Sequence, residues 1–486
     1  MKDNFLFQPR KDLLRIQNRK LHHFIARELY PFSPYYRKLF DKNRINPNSI
    51  KTVQDLKNIP LTSKNDFFDP LGKDRGNRNL DFILQPNEES VKKYLPKREL
   101  IKGKACLKKR LEAEYTPIFL TATAGTTNQP VAFLYTNYDI ENLRLYGKRI
   151  VDVFGLDRGS RAINVFPYAP HLAFWQTVFA GFASNMFILS TGGGKTIGTK
   201  GNLNFILKIK PQFLIGVSSY IYHILTIAKE QNLKLSFLKN IALGASRVPK
   251  GFKKKISSLL TQMGARDVKI LGTYGFTESR SAWAECPTDI DITSGYHIYP
   301  DKEVFEVIDP ATGEVKGEGE DGELVYTNID SRGSCVLRYR TGDLVKGGIV
   351  YSPCPYCKRT VPRISSDITR ASNIKDIQLS KIKGALVNLN TLEHLLDDEE
   401  GVDEWQIEIT KKNNDPYEVD ELVLYISLLR NLNKQKFQAR LNQKIFPVAE
   451  VSFNRINFVT SREIRRRIGI ESGVKAMKIV DRREKK

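Results

Sequence analysis

A ten-residue stretch at 121–130, Thr-Ala-Thr-Ala-Gly-Thr-Thr-Asn-Gln-Pro, combines hydroxyl side chains with one glycine. It lies between two apolar, β-prone runs at 115–120 and 131–135, which predicts a loop that joins two strands. Small side chains let the backbone of such a loop approach an anion, and its amides and hydroxyls can donate to the anion's oxygens. The stretch therefore predicts a polyphosphate-binding loop, with an ordinary surface turn as the alternative.

A second stretch, Gly-Thr-Tyr-Gly-Phe-Thr-Glu at 272–278, follows an apolar run at 268–271 and is therefore expected at the end of a strand. Tyr274 could offer a flat face to a purine, and Thr277 could donate to a phosphate. Glu278 could bind Mg²⁺, a hard cation that takes oxygen ligands. The alternative is a strand and turn that carry a surface glutamate.

Two more stretches each carry one side chain with a chemical use. Asp343 ends Tyr-Arg-Thr-Gly-Asp at 339–343, where a carboxylate after a glycine turn can accept both hydroxyls of a ribose. The alternative is an aspartate that caps its own turn. Lys475 lies in the tail Ser-Gly-Val-Lys-Ala-Met-Lys at 472–478, which could carry it into a site to neutralise phosphoryl charge. A disordered basic tail is the alternative there.

The cysteines are placed for metal binding rather than for a disulfide scaffold. Cys354 and Cys357 form a Cys-x-x-Cys pair, which is half of a typical zinc site. Cys286 and His297 upstream would add a thiolate and an imidazole, completing a tetrahedral site that bridges two hairpins. We expect a structural Zn²⁺, with a redox pair or four unrelated residues as alternatives. Cys335 is expected to be an ordinary buried cysteine.

The composition is that of a globular protein with one large and one small domain. The chain has 486 residues, of which 41% are hydrophobic. No apolar run approaches the roughly 20 residues that a membrane-spanning helix needs. Residues 1–19 are charged and lack the apolar core of a signal peptide. We therefore expect a cytoplasmic protein without a membrane span.

The net charge is strongly positive. The chain has 77 Lys and Arg against 54 Asp and Glu, a formal charge of +23, which could attract nucleic acid, an anionic membrane, an acidic carrier protein or polyphosphate ligands. The basic residues are spread along the chain, with one dense cluster at 462–486, and no RNA-binding or helix-turn-helix pattern accompanies them. A basic but ordinary solvated surface is favoured, and nucleic acid is not the expected partner.

These side chains must be positioned by an α/β fold. Residues 1–110 read as a polar, helical lead-in, and from 115 short β-prone runs alternate with amphipathic stretches, which predicts a substantially parallel sheet. The run at 182–190 is interpreted as a strand, and Ser-Thr-Gly-Gly-Gly-Lys-Thr at 190–196 as a flexible loop. Residues 303–308 and 322–329 predict antiparallel strands. Beyond 363 the pattern is α+β.

In this order the motifs resemble the adenylate-forming superfamily, which includes acyl-CoA ligases, nonribosomal adenylation domains and luciferases. The loop at 121–130 is similar to that family's Ser-Ser-Gly-Thr-Thr-Gly-Lys-Pro. The motifs Tyr-Gly-x-Thr-Glu and Tyr-Arg-Thr-Gly-Asp are matched letter for letter at 274–278 and 339–343. The branch that the chain most resembles is the phenylacetate–coenzyme A ligases, through the stretches at 34–40, 56–67, 309–314 and 480–483. Some proteins of this branch carry a metal of the kind predicted here.

The resemblance implies a large adenylate-forming domain of mixed parallel sheets, residues 1–362, and a small, mobile α+β lid, residues 363–486. It also implies that a carboxylate attacks the α-phosphorus of Mg·ATP to give an acyl-adenylate, from which the thiol of coenzyme A displaces AMP. Lys475 would serve the adenylation step, with Thr277 at the α-phosphate and Glu278 on Mg²⁺. The implied nucleotide contacts are Thr123, Gly125, Thr126, Thr127, Tyr274, Gly275, Asp343 and Arg363.

The sequence departs from the family pattern in two places. The loop has Asn128 and Gln129 where the family has Gly-Lys, so one cationic phosphate contact is missing. The hinge motif Gly-Arg-x-Asp-Asp is irregular, which leaves Arg363, Arg370 and Asp376 as candidates for the hinge or ribose contact. In the tail, Lys478 competes with Lys475 for the adenylation role.

The acid would bind near the aromatic stretch at 166–175, which suits an aryl or other apolar carboxylic acid. Tyr168, His171 and Trp175 are the candidate pocket residues, and ordinary core packing is the alternative. Two other functions stay open: an adenylating enzyme that passes its acyl group to a protein or another acceptor that is not coenzyme A, and a degenerate, basic nucleic-acid-binding or scaffold protein.

Overall fold

The computed structural model is a mixed α/β protein. It describes residues 3–67, 78–95, 104–123, 130–157, 159–370, 381–382, 385–386, 389–414, 420–429, 432–449, 453–470 and 476–483. Residues 124–129, Asp376 and Lys475 therefore lie outside the described residues. In the part of the chain that is described, no helix has both the length and the apolar character needed to span a membrane.

The lead-in is helical and packs against the antiparallel sheet that contains residues 303–308, 322–328 and 339–346. Its helix α1 continues through a π-helical turn at Phe24–Leu29 and a short helical turn at Tyr30–Phe32. The helices of the lead-in are α1 Arg10–His23, α2 Pro34–Lys42, α3 Glu88–Tyr94 and α4 Lys104–Tyr115. Pro34 at the start of α2 and the Ser33 hydroxyl, which accepts from the Tyr36 amide, define where that helix begins.

The largest sheet contains the predicted parallel strands. Its strand order is β13-β14-β9-β8-β7-β6-β5-β3-β4, and β4, β3, β5, β6 and β7 are parallel neighbours. Strand β5 is buried along its whole length, as expected where helices cover a parallel sheet. The strands are β3 Arg161–Asn164, β4 Phe187–Ser190, β5 Phe213–Val217, β6 Asn240–Gly244, β7 Lys269–Phe276, β8 Ser281–Ala284, β9 Tyr296–His297, β13 Ile349–Val350 and β14 Arg363–Ile364.

Amphipathic helices connect these strands. The helices are α5 Asn137–Phe154, α6 Leu172–Ala183, α7 Gly194–Ile209, α8 Ser218–Glu230 and α9 Lys250–Gln262. Helix α5 begins with a capping box, in which Thr136 and Asp139 satisfy each other's backbone amides, and it ends at Gly155 in the left-handed conformation.

Two local predictions were wrong. Residues 182–190 do not form one strand, because α6 extends to Ala183 and the chain turns through Asn185, which has a φ of 53°, before β4 begins. Residues 190–196 are not one loop, because α7 begins at Gly194. The left-handed conformations of Gly192 and Gly193 make the sharp turn that precedes it.

Two antiparallel units complete the large part of the chain. The pair β1 Pro117–Ala122 and β2 Ala132–Thr136 flanks residues 124–129, and so confirms the strands predicted on either side of that stretch. A second sheet has the order β10-β11-β12-β15. Its strands are β10 Glu303–Ile308, β11 Gly322–Asn328, β12 Tyr339–Lys346 and β15 Asp367–Arg370.

The carboxyl-terminal part has its own hydrophobic core, centred on Trp405 and Leu441, as the predicted α+β pattern requires. We call residues 381–483 the small domain and residues 3–370 the large domain. The helices are α10 Leu389–Asp398, α11 Lys434–Ala449 and α12 Ser461–Ile468. The strands are β16 Lys381–Ile382, β17 Ala385–Leu386, β18 Val402–Lys411, β19 Asp420–Leu428, β20 Arg455–Phe458 and β21 Ile479–Asp481.

Candidate active site

The parallel strands end along one edge of the large sheet, and the predicted motifs lie at this edge. From β3 the chain passes outward to β4 and then returns to β5 on the other side of β3. Such a reversal of strand order opens a crevice at the carboxyl ends of the strands, where ligands of open α/β sheets bind. We call this edge the nucleotide edge; Phe166 after β3, Ser218 after β5, Ala245 after β6 and Tyr274 within β7 belong to it.

Tyr274 and Asp343 contact each other directly. The Tyr274 hydroxyl donates to Asp343 Oδ2 at 2.7 Å, although the two residues are 69 positions apart in the chain. The Tyr274 ring packs near the rings of Trp283 and Tyr296, with centroid distances of 5.7 and 5.6 Å. Burial and the Asp343 charge raise the pKa of Tyr274 well above its usual value, so its phenol remains a donor.

Arg370 is the arginine that contacts the candidate ribose carboxylate. Asp343 on β12 and Arg370 on β15 are cross-strand partners, and Arg370 Nη1 donates to Asp343 Oδ1 at 2.6 Å. Arg363, another of the candidates for that contact, instead donates to the carbonyl oxygens of Ser294 and Ser352 at 3.0 and 3.1 Å. Of these two arginines, Arg370 is therefore the one that contacts Asp343, while Arg363 is bound by backbone carbonyl groups of two neighbouring segments.

The remaining members of the two motifs also meet. Thr277 and Glu278 form a short 3₁₀ turn after β7, and the Tyr339 hydroxyl donates to Glu278 Oε1 at 2.9 Å. Glu278 is buried, and burial together with this carboxylate raises the pKa of Tyr339 well above its usual value. Two tyrosine–carboxylate hydrogen bonds therefore hold the motifs at 274–278 and 339–343 side by side.

At the base of the predicted phosphate loop, the threonine hydroxyls of the described residues form hydrogen bonds with other groups of the protein. Thr123 closes the base, because its amide donates to the Val131 carbonyl and its hydroxyl accepts from the Val131 amide, both at 3.0 Å. A His171 ring nitrogen lies 3.1 Å from the Ala122 carbonyl oxygen. Gly125, Thr126 and Thr127 lie outside the described residues, as do Asn128 and Gln129.

The candidate acid-binding aromatics surround the start of α6. Tyr168 is 65% exposed, His171 is also exposed, and Trp175 packs edge-on against Phe119 with a centroid distance of 5.2 Å. An almost entirely apolar cavity of about 60 Å³ lies beside α6, and its lining residues do not include these three candidates. Residues that line it include Ile150, Phe166, Thr177, Ile215, Thr273 and Ala282.

This cavity reaches the nucleotide edge. A β-carbon added to Gly244 would lie 2.6 Å from Thr273 Oγ1 and 3.1 Å from the Phe166 ring. Phe166 and Thr273, which line the cavity, therefore also pack against the end of β6. Glycine at 244 permits this close approach.

Lys478 is held within the small domain. Its Nζ lies 2.9 Å from Asp397 Oδ1 and 3.2 Å from Glu404 Oε2, and 4.7 Å from the centroid of the Trp405 ring. Burial opposes its charge, but the two carboxylates outweigh this and raise the pKa of Lys478. Lys478 is therefore engaged in ion pairs within the small domain, whereas Lys475, the other candidate for the adenylation role, lies outside the described residues.

The loop after β6 contains a residue that the sequence analysis missed. Arg247 Nη2 donates to Asp367 Oδ1 at 3.2 Å. Asp367 lies three residues before Arg370 in the chain. The buried Nη1 of Arg247 has no hydrogen-bond partner among the described residues. Arg247 faces a cavity of about 310 Å³, which Ser219 and Ser246 line from the large domain and Met477 and Lys478 from the small domain. The signal in the sequence was Ala-Ser-Arg at 245–247, directly after the apolar run at 240–244.

A separate cluster of metal-ligand type lies on the far side of β8. The ligand atoms of Cys286, His297, Cys354 and Cys357 all lie within 4.8 Å of one another. The Sγ atoms of Cys286 and Cys354 are 3.7 Å apart, and Cys357 Sγ is 3.2 Å from His297 Nε2. His297 Nδ1 lies 3.3 Å from the Ala284 carbonyl oxygen, so the other ring nitrogen is the one directed at the thiols. The four residues predicted from the sequence thus converge on one point.

Comparison with known proteins assigns the chain to a family. The family model described as AMP-binding enzyme matches residues 62–334, more than half of the chain. The chain therefore belongs to the AMP-binding enzyme family, which confirms the resemblance to the adenylate-forming superfamily and the α/β class with a large and a small domain.

Among curated relatives, the chain is 25% identical over 378 residues to a phenylacetate–coenzyme A ligase of Thermus thermophilus, covering 75% of this chain and 72% of that protein. It is 24% identical over 332 residues to a phenylacetate–coenzyme A ligase of Aromatoleum evansii, covering 66% of this chain and 63% of that protein. Among solved structures, 2-hydroxyisobutyryl-CoA ligase in its postadenylation state superposes with a TM-score of 0.75 at 18% identity, covering 99% of this chain and 92% of that chain.

Proposed function

We propose that this protein activates a carboxylic acid with ATP and transfers the acyl group from the resulting acyl-adenylate to the thiol of coenzyme A, releasing pyrophosphate and AMP. The observation that carries the proposal is the pairing of Tyr274 with Asp343 and of Glu278 with Tyr339, which assembles two distant motifs at the nucleotide edge. Membership of the AMP-binding family and similarity to phenylacetate–coenzyme A ligases support it.

The nucleotide would bind through groups that are already oriented. The Asp343 carboxylate would accept hydrogen bonds from the ribose hydroxyls, and Arg370 holds that carboxylate in place. Tyr274, and Gly275 beside it, border the adenine, while Thr277 donates to the α-phosphate. Gly125, Thr126 and Thr127, which follow Thr123 in the sequence, are proposed to contact the other phosphates.

Glu278 is the residue that would hold Mg²⁺. Its carboxylate is buried and oriented by Tyr339, which suits an ion that takes one protein carboxylate and completes its shell with phosphate oxygens and water. The bound ion would neutralise charge on the phosphates. Lys475, three residues before the Lys478 anchor, would stabilise the charge that develops as the carboxylate attacks the α-phosphorus.

The acid is proposed to be short and apolar. The cavity beneath Phe166 and Thr273 has a volume of about 60 Å³. For comparison, an apolar cavity that is known to bind benzene has a volume of about 150 Å³. A short or branched aliphatic chain therefore fits this cavity better than an aromatic ring does. In this proposal Trp175 supports the pocket, while the exposed Tyr168 and His171 border its entrance.

An acidic carrier protein is the second proposed acceptor for the acyl group. The observation that favours it is on α12, where Arg462 and Arg466 are exposed on the surface of a chain with a net charge of +23. Release of AMP measured with and without coenzyme A separates the two acceptors. A cytoplasmic location, where ATP and coenzyme A are supplied, is part of the same proposal.

The cluster of three cysteines and one histidine is proposed to hold a structural Zn²⁺. Zinc bonds of about 2.3 Å to sulfur in a tetrahedral site place thiolates slightly less than 4 Å apart. The 3.7 Å between Cys286 and Cys354 fits this spacing. With four protein ligands, the site keeps no open position for a substrate, and it ties the Cys354–Cys357 turn to the hairpin of β8 and β9.

We propose the domain boundary directly after Arg370 rather than at 362. Strand β14 pairs with β9 and β13, and β15 pairs with β12, so residues 363–370 belong to sheets of the large domain. Arg370 therefore lies at the candidate hinge and also contacts Asp343, the carboxylate that is proposed to bind the ribose. Rotation of the small domain as a lid would begin just beyond it.

The decisive test is ATP–pyrophosphate exchange driven by a panel of short aliphatic, fatty and aryl acids. We expect exchange with short acids and its collapse in Lys475→Ala. Lys478→Ala serves as the comparison, because it removes the Asp397 and Glu404 anchor and lowers the melting temperature as well. Absence of exchange with every acid would contradict the proposed function.

A further inference from the structure

The large and small domains are joined by a buried hydrogen bond between a tyrosine and a carboxylate. The Tyr222 hydroxyl, on α8 of the large domain, donates to Asp403 Oδ1 at 2.5 Å, and both residues are almost fully buried. The second oxygen of Asp403 accepts from the Ser427 hydroxyl at 2.8 Å, within the small domain.

The Asp403 carboxylate is charged in this arrangement. Burial alone would raise its pKa, but hydrogen bonds from Ser461, Tyr222 and Ser427 outweigh that effect and lower the pKa of Asp403. A hydrogen bond to an ionised acceptor is stronger than one between neutral groups. The contact with Tyr222 therefore contributes more to the position of the small domain than an ordinary surface contact does.

Asp403 is also linked to the tail that carries Lys478. The pairing of β18 with β19 shifts register between Val402 and Trp405, so Asp403 and Glu404 lie in a bulge. A bulge redirects neighbouring side chains. Here Asp403 contacts Tyr222 of the large domain, while Glu404 lies 3.2 Å from Lys478 Nζ. One bulge thus connects α8 to the tail, three residues from Lys475.

The start of α9 reinforces the same arrangement. Gly251 faces the end of α10, and a β-carbon added to it would lie 2.9 Å from the Asp397 carbonyl oxygen and 3.1 Å from the Asp398 α-carbon. The small domain can approach this closely because residue 251 has no side chain. Replacement of Gly251 therefore disturbs the arrangement without touching Tyr222.

From these contacts we infer that Tyr222 and Asp403 are positioning residues that hold the small domain where its tail serves adenylation. The inference rests on the proposed two-step reaction, whose second step uses a different face of the small domain. Rotation breaks the Tyr222–Asp403 bond and leaves Asp403 with its partners Ser427 and Ser461. The contact consequently favours adenylation over thioester formation.

The test is Tyr222→Phe in the full chain, which keeps the ring and removes one hydrogen bond. We expect ATP–pyrophosphate exchange to fall about tenfold in kcat, the effect of one hydrogen bond to a charged group, with little change in the KM for ATP. Thioester formation from supplied acyl-adenylate and coenzyme A should be unchanged or faster. Gly251→Ala should give the same split between the two steps.

Tyr220→Phe is the matched control, because Tyr220 lies on the same helix as Tyr222 but makes its contact within the large domain. The Tyr220 hydroxyl accepts from Asn202 Nδ2 at 3.0 Å. It should not separate the two steps. Equal losses in both steps for Tyr222→Phe, or identical behaviour of the two variants, would overturn the inference and leave Tyr222 a merely structural residue.

Small-angle scattering of the ligand-free wild type and both tyrosine variants gives a readout that does not depend on activity. Tyr222→Phe should broaden the distribution of domain arrangements, whereas Tyr220→Phe should not. If the wild type lacks exchange activity but scattering separates the variants, the proposed reaction fails and the positioning contact stands. If scattering does not separate them, the positioning contact is refuted.

Discussion

At the Cys/His cluster, three thiols and one imidazole converge on one another, whereas at the nucleotide edge the carboxylates of Asp343 and Glu278 already have protein partners. The ligand atoms of Cys286, His297, Cys354 and Cys357 lie within 4.8 Å of one another. Asp343, by contrast, accepts from both Tyr274 and Arg370. In the proposed function, a metal would complete the first region, whereas a nucleotide would share or replace the existing hydrogen bonds in the second.

We expect the two regions to respond differently to the loss of one side chain. In the cluster, each ligand is required for the same coordination sphere, so removal of one should cost stability. At the nucleotide edge, the tyrosine–carboxylate pairs keep the loops in place, so removal of one carboxylate should cost binding and catalysis more than folding.

The largest expected effect is on stability, at the cluster. Cys354→Ser should abolish the binding of one equivalent of zinc per chain and lower the free energy of unfolding by more than about 4 kcal/mol, as loss of a structural metal does. Metal analysis and thermal unfolding measure both quantities. Cys106→Ser is the control, since Cys106 is exposed and outside the cluster. Full stability of Cys354→Ser without metal would show that the cluster is not a structural zinc site.

A smaller effect is expected on activity, at the nucleotide edge. Asp343→Asn removes the charge that Arg370 and the ribose hydroxyls share, and should lower kcat/KM for ATP in pyrophosphate exchange by about 10- to 100-fold. The melting temperature should change little. Asp309→Asn, in a surface turn, should leave exchange unchanged. If Asp343→Asn instead unfolds the protein, the contrast between the two regions is wrong.

The cluster could be predicted from the sequence because ligand chemistry restricts which residues can converge. A Cys-x-x-Cys turn needs two more soft or imidazole ligands, and Cys286 and His297 upstream were the candidates chosen for them. The parallel sheet and the antiparallel strands at 303–328 were likewise evident, since hydrophobic period and turn residues determine them locally.

The partners at the nucleotide edge were harder to predict, because they depend on strand register. Arg363 and Arg370 are seven residues apart and equally plausible in the sequence. Only the pairing of β12 with β15 brings Arg370 to Asp343. Arg247 was missed for the same reason, since its contact with Asp367 joins a loop after β6 to a strand of another sheet. The run at 182–190 was wrongly interpreted as one strand, because its apolar residues belong partly to α6 and partly to β4.

The smallest expected effects separate these two arginines. Arg370→Lys should raise the KM for ATP about tenfold or less, because an ammonium cannot reproduce the planar donor that reaches Asp343. Arg363→Lys should leave that KM unchanged and lower the free energy of unfolding by about 1–3 kcal/mol, because its guanidinium satisfies buried carbonyl groups of Ser294 and Ser352. Exchange kinetics and thermal unfolding on both variants measure the contrast. The reverse result, with Arg363→Lys impairing ATP use and Arg370→Lys impairing stability, would move the ribose contact to Arg363 and place the hinge before β15.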